Sequence, residues 1–192
     1  MKLTSTLPFF SHHGRHDITY HPVSLGDFEK LPYIEMEETT PAQEFEQYKA
    51  LILAMTDLNE ADFDELTAPD FLQLRQDLRK FTLTPSDELQ HKPLDGQTFK
   101  FDLLFPFTNE LGETISHIVF TVPKVKHSEA LAKLSDDKAR ENFMFQVVTG
   151  LTKADVEQMA MNDFLAIKGQ VGAFFTLAGD YFHPATLKPS SI

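Results

Sequence analysis

Residues 149–174 read TGLTKADVEQMAMNDFLAIKGQVGAF, and residues 56–81 read TDLNEADFDELTAPDFLQLRQDLRKF. When the two stretches are aligned at a constant shift of 93 residues, without gaps, eight of 26 positions are identical. Self-similarity at a fixed shift is the sequence signature of a repeated structural unit. The alignment therefore predicts that one small unit occurs twice in this chain.

The matched positions are those that a shared fold would need, namely apolar residues on one helical face and polar residues at helix starts. The repeat positions are Thr56, Leu58, Asp62, Asp70 and Phe71 in the first copy, and Thr149, Leu151, Asp155, Asp163 and Phe164 in the second. We expect these residues to have structural roles.

The fold class that we predict is α+β, with two tandem copies of a β-hairpin followed by about three helices. The first unit covers residues 1–85 and the second covers residues 98–182. A polar linker at 86–97 joins them, and residues 183–192 form a C-terminal tail. A chain of 192 residues is long enough for two such units.

Runs of β-forming residues predict the hairpins. In the second unit the strands are expected at Phe99–Phe107 and Ile115–Val122, and in the first at Thr4–Phe10 and Asp17–Pro22. A proline ends the second strand of each hairpin, because proline cannot donate to a central ladder.

Helical periodicity follows each hairpin. Asn59 and Thr152 each precede an aspartate by three positions, which is the spacing of a capping box. Asp70 and Asp163 lie at the start of the last helix, where negative charge is favourable. Two matching apolar stripes predict that these last helices pack against the hairpins: Phe71, Leu74, Leu78 and Phe81, and Phe164, Ile167, Val171 and Phe174.

The amino-acid composition excludes some classes of function and disfavours others. The chain has no cysteine, which excludes thiolate nucleophiles and disulfides. Its net charge of −12 disfavours nucleic acid, and no stretch is apolar enough to span a membrane. Residues 1–85 carry 7 basic and 15 acidic side chains. A basic partner for that half is the alternative to a purely solubilising role.

Two groups of residues could carry chemistry, and for both we favour a structural interpretation. His12, His13 and His16 could hold a metal together with Asp17. A solvated hairpin turn explains them better, because the chain has no cysteine ligand and the second unit lacks these histidines. The repeated aspartates could act as general acids and bases, but helix capping accounts for them. No phosphate-binding loop, nucleophile elbow or zinc-protease motif occurs. We therefore predict no catalytic residue, no metal and no cofactor.

The second unit resembles the tail assembly chaperones of long-tailed bacteriophages, in particular the Mu-like short tail assembly proteins, over about residues 98–175. The residues that carry the resemblance are Val119-Phe-Thr-Val-Pro123, Val148-Thr-Gly-Leu-Thr152, Ala154-Asp-Val-Glu-Gln-Met159 and Asn162-Asp-Phe-Leu165. The first unit departs from the pattern, since Asp57 replaces the glycine. A tandem pair also differs from the single unit of the usual member.

The resemblance implies a non-catalytic protein of the bacterial host cytoplasm that is absent from the mature virion. Its implied partners are the tape measure protein, which it keeps soluble, and the tail tube protein that polymerises around it. Self-association stays open. Two alternatives also stay open: an acidic mimic of nucleic acid that blocks a DNA-binding protein, and a metal-dependent hydrolase using His12, His13 and His16.

Overall fold

The computed structural model describes residues 3–11, 14 and 16–182. These residues form two antiparallel β-hairpins and a larger number of helices, so the α+β prediction is confirmed. Among the described residues, no helix is both long and apolar enough to cross a membrane.

The chain divides into two compact units. The first consists of residues 1–84 with 160–162, and the second of residues 85–159 with 163–192. The predicted linker, 86–97, groups with the second unit.

The first unit contains a short hairpin and four helices. Its elements are β1 (Thr4–Thr6), β2 (Asp17–Thr19), α1 (Leu25–Glu29), α2 (Pro41–Met55), α3 (Glu60–Asp64) and α4 (Ala68–Thr82). The core is apolar, and its fully buried side chains include Leu7, Ile18, Ile52, Met55, Leu74 and Leu78. Phe45 shares an apolar stripe of α2 with the buried Tyr48 and Ile52, but it is itself 47% exposed. It contacts the rings of Phe63 and Phe71.

The second unit contains a longer hairpin. Its elements are α5 (Ser86–Leu89), β3 (Lys100–Thr108), β4 (Thr114–Val119), α6 (Val125–Ala132), α7 (Asp137–Thr149), α8 (Lys153–Gln158), α9 (Met161–Thr176) and α10 (Gly179–Phe182). Gly112 lies in the hairpin turn and Gly150 ends α7, and both have the positive φ that glycine tolerates. Phe145 and Val148 of α7 and Ile167 and Val171 of α9 form the centre of the core.

Along the described residues, each hairpin is followed by five helices: α1 to α5 after the first hairpin, although α5 groups with the second unit, and α6 to α10 after the second hairpin. The start of α3 and the start of α8 are 93 residues apart, and so are the starts of α4 and α9. Short helices precede α2 and α7, and further short helices follow α4 and α9. The predicted scheme of about three helices per unit did not include all of these, because helices of four to eight residues show little periodicity.

One hydrogen bond occurs at the same place in both units. The residue two positions after the second strand donates its amide to a carbonyl near the end of the middle helix. This bond joins His21 to Met55 O at 2.9 Å and Thr121 to Val148 O at 2.7 Å. Each bond attaches its hairpin to its middle helix.

An aromatic contact is also matched. Tyr20 meets Phe81 with ring centroids 5.3 Å apart, and Phe120 meets Phe174 at 6.2 Å. These contacts pair Tyr20 with Phe120, in agreement with the hydrogen bonds that pair His21 with Thr121.

Candidate functional site

The repeated aspartates at the start of the short helices are caps. Asp62 accepts the amide of Asn59 at 3.1 Å, and Asp155 accepts that of Thr152 at 2.9 Å. In return, the side chains of Asn59 and Thr152 accept the aspartates' own amides, which completes two capping boxes. Each of these carboxylates accepts a hydrogen bond from a backbone amide three residues earlier in the chain.

Asp163 connects the start of α9 to the hairpin. Its two carboxylate oxygens accept the amides of Leu104 and Phe105, each at 2.9 Å. These amides lie where the register of β3 and β4 shifts, between Asp102 and Phe107, so the carboxylate satisfies donors at a bulge. Burial raises the pKa of the Asp163 carboxyl, while the two amides act in the opposite direction.

Asp70 has a similar position in the first unit but weaker contacts. It is fully buried, accepts the amide of Phe9 at 3.4 Å and accepts the hydroxyl of Thr67 at 2.9 Å. Both aspartates thus hold a hairpin against the last helix. The hydrogen bonds of both carboxylates are to groups of the same chain, which gives each aspartate a structural role.

The repeated threonines and leucines form a matched turn after the middle helix. The hydroxyls of Thr56 and Thr149 each donate to the carbonyl four residues earlier at 2.7 Å. They also accept the amides of Leu58 at 3.3 Å and Leu151 at 3.2 Å, and both leucines are buried.

The repeated phenylalanines differ in their neighbours. Phe164 stacks on Phe145 at 5.2 Å with an interplanar angle of 14°. Phe71 makes tilted and edge contacts with Phe45 and Phe63. The ten repeat positions therefore support the fold in both units.

The histidine group is only partly described, since His12 and His13 lie outside the described residues. The Nδ1 atom of His16 is 2.8 Å from the carbonyl of Phe10 and 3.1 Å from that of Leu7. No group of three or more potential metal ligands is found within the described part of the chain.

A groove in the second unit is the best candidate for a binding surface. We call it the α9 groove. Its volume is about 570 Å³, and its lining comes from α5, α9 and α10. The α9 residues that line it include Leu165, Ala166, Gly169, Gly172 and Ala173. A methyl group added at either glycine would meet nothing within 4 Å, so this part of the groove is open.

Tyr181 and Leu177 also line this groove. Both are large apolar residues with more than two fifths of their surface exposed. An exposed tyrosine and leucine beside a face of small residues are typical of a surface that contacts another protein.

The sequence alignment did not single out this groove, because it followed the buried stripe of α9 and ignored the opposite face. The sequence does contain an indication of this groove, namely two glycines inside a helix. Glycine in a helix interior costs up to about 1 kcal/mol relative to alanine, and Gly169 and Gly172 both occur inside α9. Two such residues on one helix call for a packing or binding explanation.

The described residues thus define a protein of two small α+β units, the second of which carries an open groove along α9. Residues 100–176 match the family described as phage tail assembly chaperone proteins, E, or 41 or 14. Over these residues, which are about two fifths of the chain, the protein is similar to the phage tail assembly chaperones. The comparisons with curated proteins and with solved structures found no match.

This similarity supports a role in phage tail assembly and points to a role without catalysis. It also implies that its partners are phage tail proteins. The match covers the second hairpin and helices α6 to α9, and α9 contributes most of the groove lining.

Proposed function

We propose that this protein is a non-catalytic chaperone that binds the tape measure protein through the α9 groove and helps to recruit tail tube subunits. The observation that carries the proposal is the open face of α9, where Gly169 and Gly172 leave the helix backbone accessible. The family match supports the general role.

An open helical face of this kind suits a helical partner. Small residues allow two helix backbones to approach closely, and an amphipathic helix can place its apolar side in such a groove. The lining residues of α9 run from Leu165 to Thr176, a length of roughly 17 Å at 1.5 Å per residue. That length matches about three turns of a partner helix.

The tape measure protein is a suitable occupant because a long helix with apolar stripes aggregates when those stripes are exposed to water. A short groove covers only a few turns, so each contact is weak enough for tube subunits to displace. This exchange would take place in the host cytoplasm, before the tail is complete.

We also propose that the two units descend from one ancestral unit by duplication, with boundaries near 1–85 and 98–182. The matched hydrogen bonds at His21 and Thr121 support this, as do the equal shifts of α3 and α4 to α8 and α9. In this proposal the second unit keeps the binding face. The first unit has lost it, because Gln76 and Arg79 are the counterparts of Gly169 and Gly172 at a shift of 93.

The direct test transfers these two side chains to the second unit. The double variant Gly169→Gln/Gly172→Arg fills the groove with residues that the chain already carries in α4. Since both residues are better helix formers than glycine, folding should be retained. Binding would be measured by co-purification and titration with overlapping segments of the tape measure protein encoded by the same phage or prophage.

We expect the double variant to lose at least about tenfold in affinity, which corresponds to roughly 1.4 kcal/mol. Gln146→Arg, at an exposed position of α7 outside the groove, is the matched control because it adds the same charge. If the double variant keeps full affinity and a normal melting curve, the groove is not the binding site. If the unaltered protein binds no segment, the tape measure assignment fails.

A further inference from the structure

The electrostatic surroundings of the α9 groove distinguish between kinds of partner helix. Asp87 and Glu88 of α5 and Lys168 of α9 line the groove. The ammonium of Lys168 lies 2.9 Å from a carboxylate oxygen of Glu141, so its charge is largely compensated. Among the residues that the structure describes, no basic side chain forms an ion pair with Asp87 or Glu88.

Asp87 and Glu88 can both attract a basic group of a partner, because neither carboxylate is paired with a cation in the described part of the chain. Asp87 accepts the amide of Leu94 at 3.3 Å, which orients the carboxylate but does not neutralise it. Glu88 is exposed, and within the described part of the chain it has no ion-pair partner. The groove therefore combines a floor of small residues with an excess of negative charge on its α5 side.

From this combination we infer the chemistry of the occupant. We propose that the α9 groove binds a helix that directs small residues at Gly169 and Gly172 and carries lysine or arginine along the flank facing Asp87 and Glu88. The inference rests on the proposed function, since it describes the segments of the tape measure protein that the groove selects.

The spacing in such a partner follows from helix geometry. Residues three or four positions apart share one helical face, so small residues at that spacing would contact the floor. Basic residues at the same spacing, rotated by about a quarter turn, would face α5. Their long side chains could lie along the apolar rim, with the charged ends reaching the carboxylates.

Charge also excludes other occupants. A helix with an acidic flank would bring like charges together at Asp87 and Glu88, and phosphate groups would be repelled in the same way. The groove thus discriminates by repulsion as well as by attraction, a common source of specificity. Binding should weaken with salt because the carboxylates lie near the surface.

Two synthetic helical peptides can test this with the full-length protein. Both have the same alanine and glycine face, and they differ only in a flank of lysine or of glutamate. At low salt we expect the lysine peptide to bind on the order of tenfold more tightly, as measured by fluorescence anisotropy. High salt should remove most of the difference.

Charge reversal in the groove should reverse the preference. We expect Asp87→Lys/Glu88→Lys to favour the glutamate peptide, and Glu88→Lys alone to give an intermediate result without disturbing the loop held by Asp87. The control is Glu37→Lys/Glu38→Lys, which makes the same change in net charge at exposed positions of the first unit. It should alter the affinity by less than about twofold.

Equal binding of the two peptides, or an equal effect of the control, would overturn the inference. Tape measure segments that bind through the groove but ignore the charge reversal would also refute it, while the proposed function would stand. Segments that do not bind the unaltered protein at all would refute the proposed function instead.

Discussion

Helices α4 and α9 begin at matching positions and bury matching apolar stripes, yet their outer faces are opposite in character. The outer face of α9 has Gly169 and Gly172 beside an open groove, whereas the corresponding residues of α4 are Gln76 and Arg79. Packing constrains the inner face in both helices, because core side chains fill space as densely as an organic crystal. The outer face is free of that constraint, so its differences indicate function.

The two hairpins extend the comparison. β1 and β2 pair over three residues each, while β3 and β4 are longer and have a shift in register. The longer hairpin needs an acceptor at its irregular position, and Asp163 provides one. In the shorter hairpin Asp70 makes one long contact to Phe9, in the segment after β1, so the second unit should depend more on its aspartate.

The largest expected effect is a loss of stability on removing the carboxylate of Asp163, compared with removing that of Asp70. Asp163→Ala leaves two amides without an acceptor, and at roughly 1–3 kcal/mol per buried donor we expect a loss of about 3 kcal/mol in unfolding free energy. Asp70→Ala should cost less, about 2 kcal/mol, since the contact to Phe9 is longer. Urea denaturation of both variants would measure this, and an equal or greater loss for Asp70→Ala would contradict the comparison.

A smaller effect, a gain in stability, is expected from substitutions in the α9 groove. Because Gly169 and Gly172 have space for a methyl group, Gly169→Ala/Gly172→Ala should stabilise the protein by roughly 1–2 kcal/mol. Thermal unfolding would show a higher midpoint. A lower midpoint would mean that α9 needs its glycines for folding rather than for binding.

The matched threonines should respond alike. Thr56→Val and Thr149→Val each remove a hydroxyl that makes two hydrogen bonds, and each should cost about 1 kcal/mol. Equal losses in urea denaturation would support a common turn in the two units. A loss at only one position would indicate that the turns differ in importance.

The smallest effect is a dependence on pH. Because the pKa of Asp163 is raised above 3.8, the folded state holds this proton to higher pH than the unfolded state does. Stability should therefore fall as pH rises from about 3.8 through the raised pKa, and then level off. In Asp163→Asn this component should vanish, as measured by the difference between denaturation curves across that range. If the difference in unfolding free energy between the unaltered protein and Asp163→Asn is the same at every pH, Asp163 makes no such contribution.

Local signals in the sequence were sufficient for many elements. The cap residues Asn59 and Thr152 begin helices one residue later, as their spacing to an aspartate predicts. The buried stripe of α9 also follows the 3.6-residue period, with Ile167 and Val171 at its centre. Such features depend only on near neighbours in the chain, so a single sequence shows them.

Features that depend on distant contacts were not predicted. Asp163 was expected to act at a helix start, but its carboxylate accepts amides of β3, some 58 residues earlier. Phe45 fits an amphipathic stripe, yet it is 47% exposed and contacts the rings of Phe63 and Phe71 on two other helices. The α9 groove likewise needs α5 and α10 beside the helix, and no local pattern shows that arrangement.

Methyl NMR of the full-length protein would test the groove most directly, since it needs no substitution. Ala166 and Ala173 lie in the groove, while Ala50 and Ala54 of α2 serve as reference methyls elsewhere. On adding a bound tape measure segment, we expect the signals of Ala166 and Ala173 to shift or broaden and those of α2 to stay in place. Unchanged groove methyls, with binding detected at other positions, would contradict the assignment of this surface to the partner.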